Sequence, residues 1–330
     1  MHRLPRVISF PVDPVNTRAA IIDLGTNTFD LLVYEAVQRG PAGAMLHPVL
    51  SVVHSVEVPV FLGRGGIENR MITPDAMERG LAALHGLKEV ALAHGADRIR
   101  GFGTSALRHA RNANVFVQRA LDGSGIPISI ISGNEEADLI LEGVRQAIPF
   151  TKKPALVMDI GGGSIEFILA TDKALMWKHS FEIGATRLRE RIPISDPITV
   201  EEEARIAAHL DDRLGPLYAI IERHEPHTLI GSAGSFDSLA TMISVEQGIP
   251  VQAELRSFEF SALDFDDLKE RLQRMARSER LKQPGLPEHR VDNLPYALIA
   301  IDRVLCAGGI RELAWSRYAL KEGAAVRAIS

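Results

Sequence analysis

Two stretches far apart in this chain carry one pattern, and a chain built on such a duplication has few folds open to it. Ala19-Ala20-Ile21-Ile22-Asp23-Leu24-Gly25-Thr26-Asn27-Thr28-Phe29-Asp30-Leu31-Leu32-Val33 lines up without a gap on Ala155-Leu156-Val157-Met158-Asp159-Ile160-Gly161-Gly162-Gly163-Ser164-Ile165-Glu166-Phe167-Ile168-Leu169. Each copy reads as an apolar strand, an Asp, a glycine-bearing tight turn with a hydroxyl residue, and a second apolar strand. Asp23 falls on Asp159, Gly25 on Gly161, Thr28 on Ser164 and Asp30 on Glu166. A second match follows in the same order. Ile99-Arg100-Gly101-Phe102-Gly103-Thr104-Ser105-Ala106 resembles Thr228-Leu229-Ile230-Gly231-Ser232-Ala233-Gly234, each a strand running into small and hydroxyl residues before a helix. Two matches in register predict duplicated domains.

Between the repeats the pattern alternates strand and helix. Further strand is expected over 45–61, and Thr73-Pro74 is an N-cap and first-turn pair opening a helix to about Ala93. A strand over 126–131 precedes a helix over 134–147, and residues 149–154 form the crossover. Helices follow over 199–223, where Glu201, Glu202 and Glu203 suit the first turn, and over 265–277 and 294–307. A short strand over 311–315 leads into a last helix containing Lys321-Glu322-Gly323. The expected fold is α/β: two domains, each a mixed sheet flanked by helices, with a cleft between them. The expected division is a loose N-terminal extension over 1–18, a first domain over 19–140 plus 311–330, and a second over 141–310.

At 330 residues the chain has the length of two ordinary domains. A single cysteine, Cys306, rules out a disulfide framework and suits a reducing compartment. No apolar run approaches the roughly 20 residues of a membrane span, and the first 18 residues lack a signal peptide's apolar stretch. A cytoplasmic protein is expected, without membrane partners. The net charge of −5 argues against a nucleic-acid partner. A local positive groove stays open, because Arg98, Arg100, Arg108, His109 and Arg111 cluster in one stretch and Lys152, Lys153, Arg187, Arg189 and Arg191 in another.

Facing hairpin turns place their backbones across a cleft. Glycine there lets the chain approach a ligand closely, so that several N–H groups reach one phosphate. Gly25, Thr26, Asn27 and Thr28 in the first turn, with Gly161, Gly162, Gly163 and Ser164 in the second, are therefore the candidate phosphate-binding residues. Asp159 and Glu166 flank the second turn and can serve a divalent cation, Mg²⁺ by its chemistry; capping of its own turn is the alternative for Asp159. Ser132-Gly133-Asn134-Glu135-Glu136 lies where a strand meets a helix. Its adjacent glutamates cannot face the same way. One could orient a water for attack on phosphorus, but from these residues alone stabilisation of the helix dipole is the favoured reading.

These segments resemble the exopolyphosphatase / guanosine pentaphosphate phosphatase family of the actin-like (ribonuclease H-like) superfamily. The resemblance rests on Asp23-Leu24-Gly25-Thr26-Asn27-Thr28-Phe29, Gly103-Thr104-Ser105-Ala106-Leu107-Arg108, Ile131-Ser132-Gly133-Asn134-Glu135-Glu136-Ala137 and Asp159-Ile160-Gly161-Gly162-Gly163-Ser164-Ile165-Glu166. The third segment separates this family from sugar kinases and chaperones. The resemblance implies a hydrolase that releases the terminal phosphate of polyphosphate or guanosine pentaphosphate. It implies Glu136 as the catalytic base, Arg108 as the neutralising cation, and Asp159 and Glu166 on Mg²⁺. Asp30 stands where the family commonly has His or Arg, and we expect it to join Asp159 and Glu166 at the metal. Ala319 and Lys321 replace the usual Gly and Arg, which puts a substrate role there in doubt. The short two-domain form suits short chains or a nucleotide polyphosphate, and homodimer formation is left open. The alternatives are an ATP-dependent kinase or a non-catalytic nucleotide switch of the same superfamily. A dinucleotide enzyme, suggested by Gly101-Phe102-Gly103-Thr104-Ser105-Ala106, fits poorly because the motif lies far from the first strand.

Overall fold

A computed structural model describes residues 18–38, 48–249 and 255–329. The expected N-terminal extension lies outside these, apart from Arg18, as does the start of the strand expected over 45–61. The first hairpin is β1 (Arg18–Leu24) and β2 (Thr28–Gln38), with β3 (Pro48–Pro59) antiparallel to β2. Helix α1 (Pro74–Ala93) carries the chain to β4 (Ala96–Gly103), parallel to β1. Then come α2 (Ser105–His109), α3 (Ala113–Ser124), the short β5 (Ile128–Ile130) and α4 (Gly133–Ala147). The sheet order is β3-β2-β1-β4-β5.

The second half repeats the plan. β6 (Ala155–Ile160), β7 (Ile165–Ala170) and β8 (Leu175–Phe181) form the meander. After α5 (Ala185–Arg191) and α6 (Val200–His224), β9 (Thr228–Ser232) pairs parallel to β6. Next are α7 (Ala233–Glu246), β10 (Ser257–Ser261), α8 (Ala262–Arg274), α9 (Arg277–Arg280), α10 (Leu294–Gly308), β11 (Glu312–Ser316) and α11 (Leu320–Ile329). This sheet runs β10-β11-β9-β6-β7-β8. The duplication holds at the level of register: Asp23 opposes Asp30 across β1 and β2, as Asp159 opposes Glu166 across β6 and β7.

Helix starts follow their caps. Thr73 accepts from the Ala76 amide ahead of Pro74, and Ser132–Glu135 and Thr199–Glu202 are reciprocal capping boxes. A third box, Ser261–Asp264, starts α8 three residues before the periodicity alone suggests.

Both hairpins are apolar on both faces because both faces are covered. Ile22, Leu24 and Leu31 enter a core with Leu84 and Phe116, and Met158 and Phe167 enter one with Phe236 and Tyr296. The opposite faces, carrying Ile21, Leu32, Val157 and Ile168, meet a third core with Ile140 and Ala324. Each such Leu or Ile contributes roughly 1.5–3 kcal/mol by burial. Helices α4 and α11 cross in this third core so closely that a β-carbon on Gly143 would lie 1.9 Å from the Ala319 carbonyl oxygen, and one on Gly323 1.8 Å from that of Leu139.

One boundary expectation is corrected. Residues 311–330 do not all belong with the first half: β11 lies between β10 and β9, with Leu313, Ala314 and Trp315 paired to Leu229, Ile230 and Gly231. Only α11 returns to α4 and the first sheet. Pairing partners of a strand are not encoded near it, so the crossing point was not legible from the pattern. The Gly101 and Gly103 positions are packing glycines, where a β-carbon would strike Leu24 and Ile128 (2.8 and 2.9 Å) or Leu107 (2.6 Å).

Candidate active site

The two hairpin turns touch across the cleft. A β-carbon on Gly163 would lie 2.5 Å from Ser105 Oγ and 2.8 Å from Thr26 Oγ1, and one on Gly162 would lie 2.6 Å from Asn27 Nδ2. Glycine is required there by close approach rather than by backbone angle. A hydrogen-bonded chain ties the halves together: Thr186 Oγ1 donates to Asn27 Oδ1 (2.7 Å) and Asn293 Nδ2 to Thr186 Oγ1 (3.0 Å).

The second turn is oriented by the start of α5. Its carbonyls are occupied: Gly161 O by the Ala185 amide (3.0 Å), Gly162 O by Thr186 (2.9 Å) and Arg187 (3.1 Å), and Gly163 O by Gly184 (3.2 Å). Arg187 Nε adds a bond to Gly163 O at 2.9 Å. With the carbonyls drawn to one side, the amides of Gly162, Gly163 and Ser164 donate to no group among the described residues. In the first turn Thr26 O accepts from Gly63 (3.0 Å) and Asn27 O from Val60 (2.8 Å) and Phe61 (2.7 Å). Both turns thus present N–H groups to a common cavity of about 150 Å³. All eight candidate phosphate-binding residues line it, as do Asp23, Asp30, Glu136 and Asp159. Arg108 and Glu166 stand behind the wall rather than in it.

The ambiguity at Glu135-Glu136 resolves into a division of roles. Glu135 caps α4, accepting from the Ser132 amide at 2.9 Å. Glu136 turns inward, 7% exposed, and its Oε2 accepts from Arg108 Nη1 at 2.7 Å. Burial pushes the Glu136 carboxyl up, against the pull of Arg108, to about 7. Arg108 also bonds the Ile131 carbonyl (3.2 Å), and its Nη2 lies 3.5 Å from Ser164 Oγ.

Around Glu136 the other carboxylates are raised by burial, with Lys321 opposing the rise at Asp23 and Asp159. Burial raises Asp159 to about 6, although Ser232 Oγ donates to it at 2.6 Å. Glu166 is raised well above its ordinary value by burial and then by Glu136 and Asp159; Ser180 Oγ donates to one of its oxygens at 2.6 Å. Asp23 is raised by burial and by Asp30, Glu136 and Asp159. Asp23 Oδ1 and Glu166 Oε2 are buried without a hydrogen-bond partner among the described residues. By charge, and by the orphaned oxygen of Glu166, the pair Asp159 and Glu166 suits a divalent cation completed by water and phosphate oxygens.

Asp30 lies across the hairpin from Asp23 and has a hydrogen bond of its own. Its Oδ2 accepts from Thr28 Oγ1 (2.8 Å); burial raises it to about 6, opposed first by Lys321. Among the described residues no group of three or more His, Cys, Asp and Glu is placed to hold a metal ion. The cation next to Asp30 is Lys321, a buried ammonium whose proton affinity is raised once Glu322, Asp30, Asp237 and Asp23 outweigh the burial cost.

Sequence reasoning missed the far wall. Glu57 on β3 accepts from His289 Nε2 (2.7 Å) and from Arg290, whose Nη1 bonds the Gly234 carbonyl at 2.6 Å. Burial would raise Glu57, but His289 and Arg290 override it and hold the carboxyl at about 2. No local signal marks these residues, which meet only through the fold. Of the two basic stretches noted in the sequence, only Arg108, His109 and Arg187 reach the edge of the site.

A duplicated α/β fold with paired glycine turns and a carboxylate-lined cavity defines a phosphate-handling protein of the actin-like class. Residues 37–330 match the Ppx/GppA phosphatase family, and the chain belongs to it. It is 30% identical over 319 residues to exopolyphosphatase 2 of Mycobacterium tuberculosis, covering 94% of this chain and 98% of that protein. The crystal structure of an exopolyphosphatase from Cytophaga hutchinsonii superposes with a TM-score of 0.89 at 35% identity, covering 95% of this chain and 98% of that one. A Ppx/GppA enzyme from Aquifex aeolicus shares the fold, with a TM-score of 0.74 at 22% identity over 94% of this chain and 99% of that one. Family membership makes this chain a phosphate-releasing hydrolase. Among the described residues no helix is long and apolar enough to cross a membrane.

Proposed function

We propose that this hydrolase releases the terminal phosphate of short inorganic polyphosphate or of guanosine pentaphosphate, with Glu136 as the base. The observation that carries the reading is the place of Glu136, a buried carboxyl lining the cavity with Arg108 on its Oε2 and pushed up by burial to about 7. That value suits a group that must be unprotonated to accept a proton near neutrality. Glu136 takes a proton from water as the water oxygen attacks the terminal phosphorus. The bridging oxygen leaves with the shortened chain, in line with the incoming oxygen. The amides of Thr26, Asn27, Gly162, Gly163 and Ser164, with the Ser164 hydroxyl and with the Thr28 hydroxyl once it leaves Asp30, hold the non-bridging oxygens. Arg108 releases Glu136 and turns its guanidinium to the phosphate beside Ser164. Asp159 and Glu166 would hold Mg²⁺, which when bound neutralises phosphate charge. A kinase would need an acceptor alcohol or carboxylate in place of the water beside Glu136. The reading implies a cytoplasmic setting.

The test is phosphate release from short polyphosphate, long polyphosphate and guanosine pentaphosphate by the wild type and by Glu136→Ala. The variant should lose about 10²–10⁴-fold in kcat. Wild-type kcat/KM should fall as pH drops through about 7, where Glu136 acquires a proton. Normal release by Glu136→Ala on all three substrates would remove Glu136 from the mechanism.

A further inference from the structure

Glu182 lies outside the cavity, on the link between β8 and α5, and gathers three donors and the His109 ring from both halves of the molecule. Its Oε2 accepts from Arg187 Nη2 (2.8 Å) and Ser105 Oγ (2.9 Å), and its Oε1 lies 3.4 Å from both Arg108 Nη2 and His109 Nε2. Arg187 belongs to α5, whereas Ser105, Arg108 and His109 make up most of α2 in the first half. The link is rigidly tied to the phosphate turn, because Gly184 packs on the backbone of Gly162, Gly163 and Ser164 and donates to Gly163 O. The Arg108 guanidinium therefore sits between two carboxylates: Glu136 of its own half on Nη1, and Glu182 of the other half on Nη2.

The geometry points to Glu182 as a positioning residue that closes α2 onto the second half and aims Arg108. This rests on the phosphohydrolase reading, in which Arg108 leaves Glu136 for the substrate phosphate. A guanidinium held by Glu136 alone would follow that carboxylate. Held also by Glu182, it keeps one edge fixed while the other edge changes partner. Any rotation that opens the cleft takes Ser105, Arg108 and His109 away from Glu182 together, so the aim of Arg108 is coupled to closure. Glu182 touches no substrate and acts through Arg108.

The test is a double-mutant cycle on kcat for tripolyphosphate. Glu182→Ala should lower kcat on the order of tenfold or more with KM near wild type, since misaiming a group costs the transition state before it costs binding. Glu182→Gln keeps the Ser105 contact and should recover part of the loss. In an Arg108→Ala background either change should alter kcat by less than about twofold, because the group it positions is gone. Losses that multiply across the cycle, or wild-type kcat in Glu182→Ala, overturn the proposal. Hydrogen exchange over residues 105–110 gives an arm independent of turnover. Glu182→Ala should speed exchange there, and unchanged exchange overturns the proposal even if the wild type hydrolyses nothing. A wild type that releases no phosphate from any substrate defeats the phosphohydrolase reading instead.

Discussion

Gly184 tests whether the second turn works as a preorganised cradle. Its backbone angles, φ −63° and ψ 160°, are ordinary for any residue, so Gly184→Ala carries no conformational strain. In the unfolded chain the change is favourable by about 0.4–1 kcal/mol. In the folded chain the new β-carbon would lie 2.5 Å from Gly162 C, Gly163 C and Ser164 N. Carbon contacts are comfortable at about 3.5–4.0 Å, so the turn must retreat by about 1 Å, and no side-chain rotamer can absorb the shift. Overpacking of this kind costs about 1–3 kcal/mol, leaving a net loss on the order of 1–2 kcal/mol. At roughly 2–4 °C per kcal/mol the melting temperature should fall by about 2–8 °C. Displacing the amides of Gly162, Gly163 and Ser164 by that distance should cost on the order of 10²-fold in kcat. Gly86→Ala is the control, since Gly86 lies inside α1 with nothing within 4 Å of an added β-carbon. It should gain about 0.5–1 kcal/mol with activity unchanged. Thermal melts and phosphate-release rates on both variants decide the matter. A Gly184→Ala protein with wild-type kcat would refute the idea that α5 and the turn are locked together.

Two further outcomes follow from the buried carboxylates. The folded-state values of Glu136, at about 7, and of Asp159 and Asp30, at about 6, lie above their ordinary values, so the native state holds protons more tightly than the unfolded chain. Their contribution is complete below the unfolded values and is lost as pH rises through about 6 to 7; metal-free protein should melt higher near about pH 5 than near about pH 8. Glu57, held at about 2, has the opposite sign but acts only in more acidic solution. A melting temperature that climbs between about pH 5 and about pH 8 would contradict this assignment. Mg²⁺ should raise the melting temperature at about pH 8, and Asp159→Asn should blunt the rise, because a ligand of the native state stabilises by mass action. An identical Mg²⁺ shift in that variant would remove Asp159 from the metal site.

Local pattern determined the parts of this protein that local physics controls. Strand alternation and the Asp-x-Gly turns make two hairpins from residues 19–33 and 155–169, and caps such as Ser132 and Thr199 start helices wherever they occur. The candidate phosphate-binding turns, which do line one cavity, were legible for the same reason: a turn's own glycines and hydroxyls set what it can offer a ligand. Only the tertiary structure decided which side chains meet. It turned Glu136 into the cavity while Glu135 capped the helix, a choice between adjacent residues that depends on what α4 packs against. It put Lys321, from the last helix, beside Asp30. It threaded β11 between β10 and β9 and brought Glu57 to His289 and Arg290, and Glu182 to α2. Those contacts join residues far apart in sequence, and no local period records them.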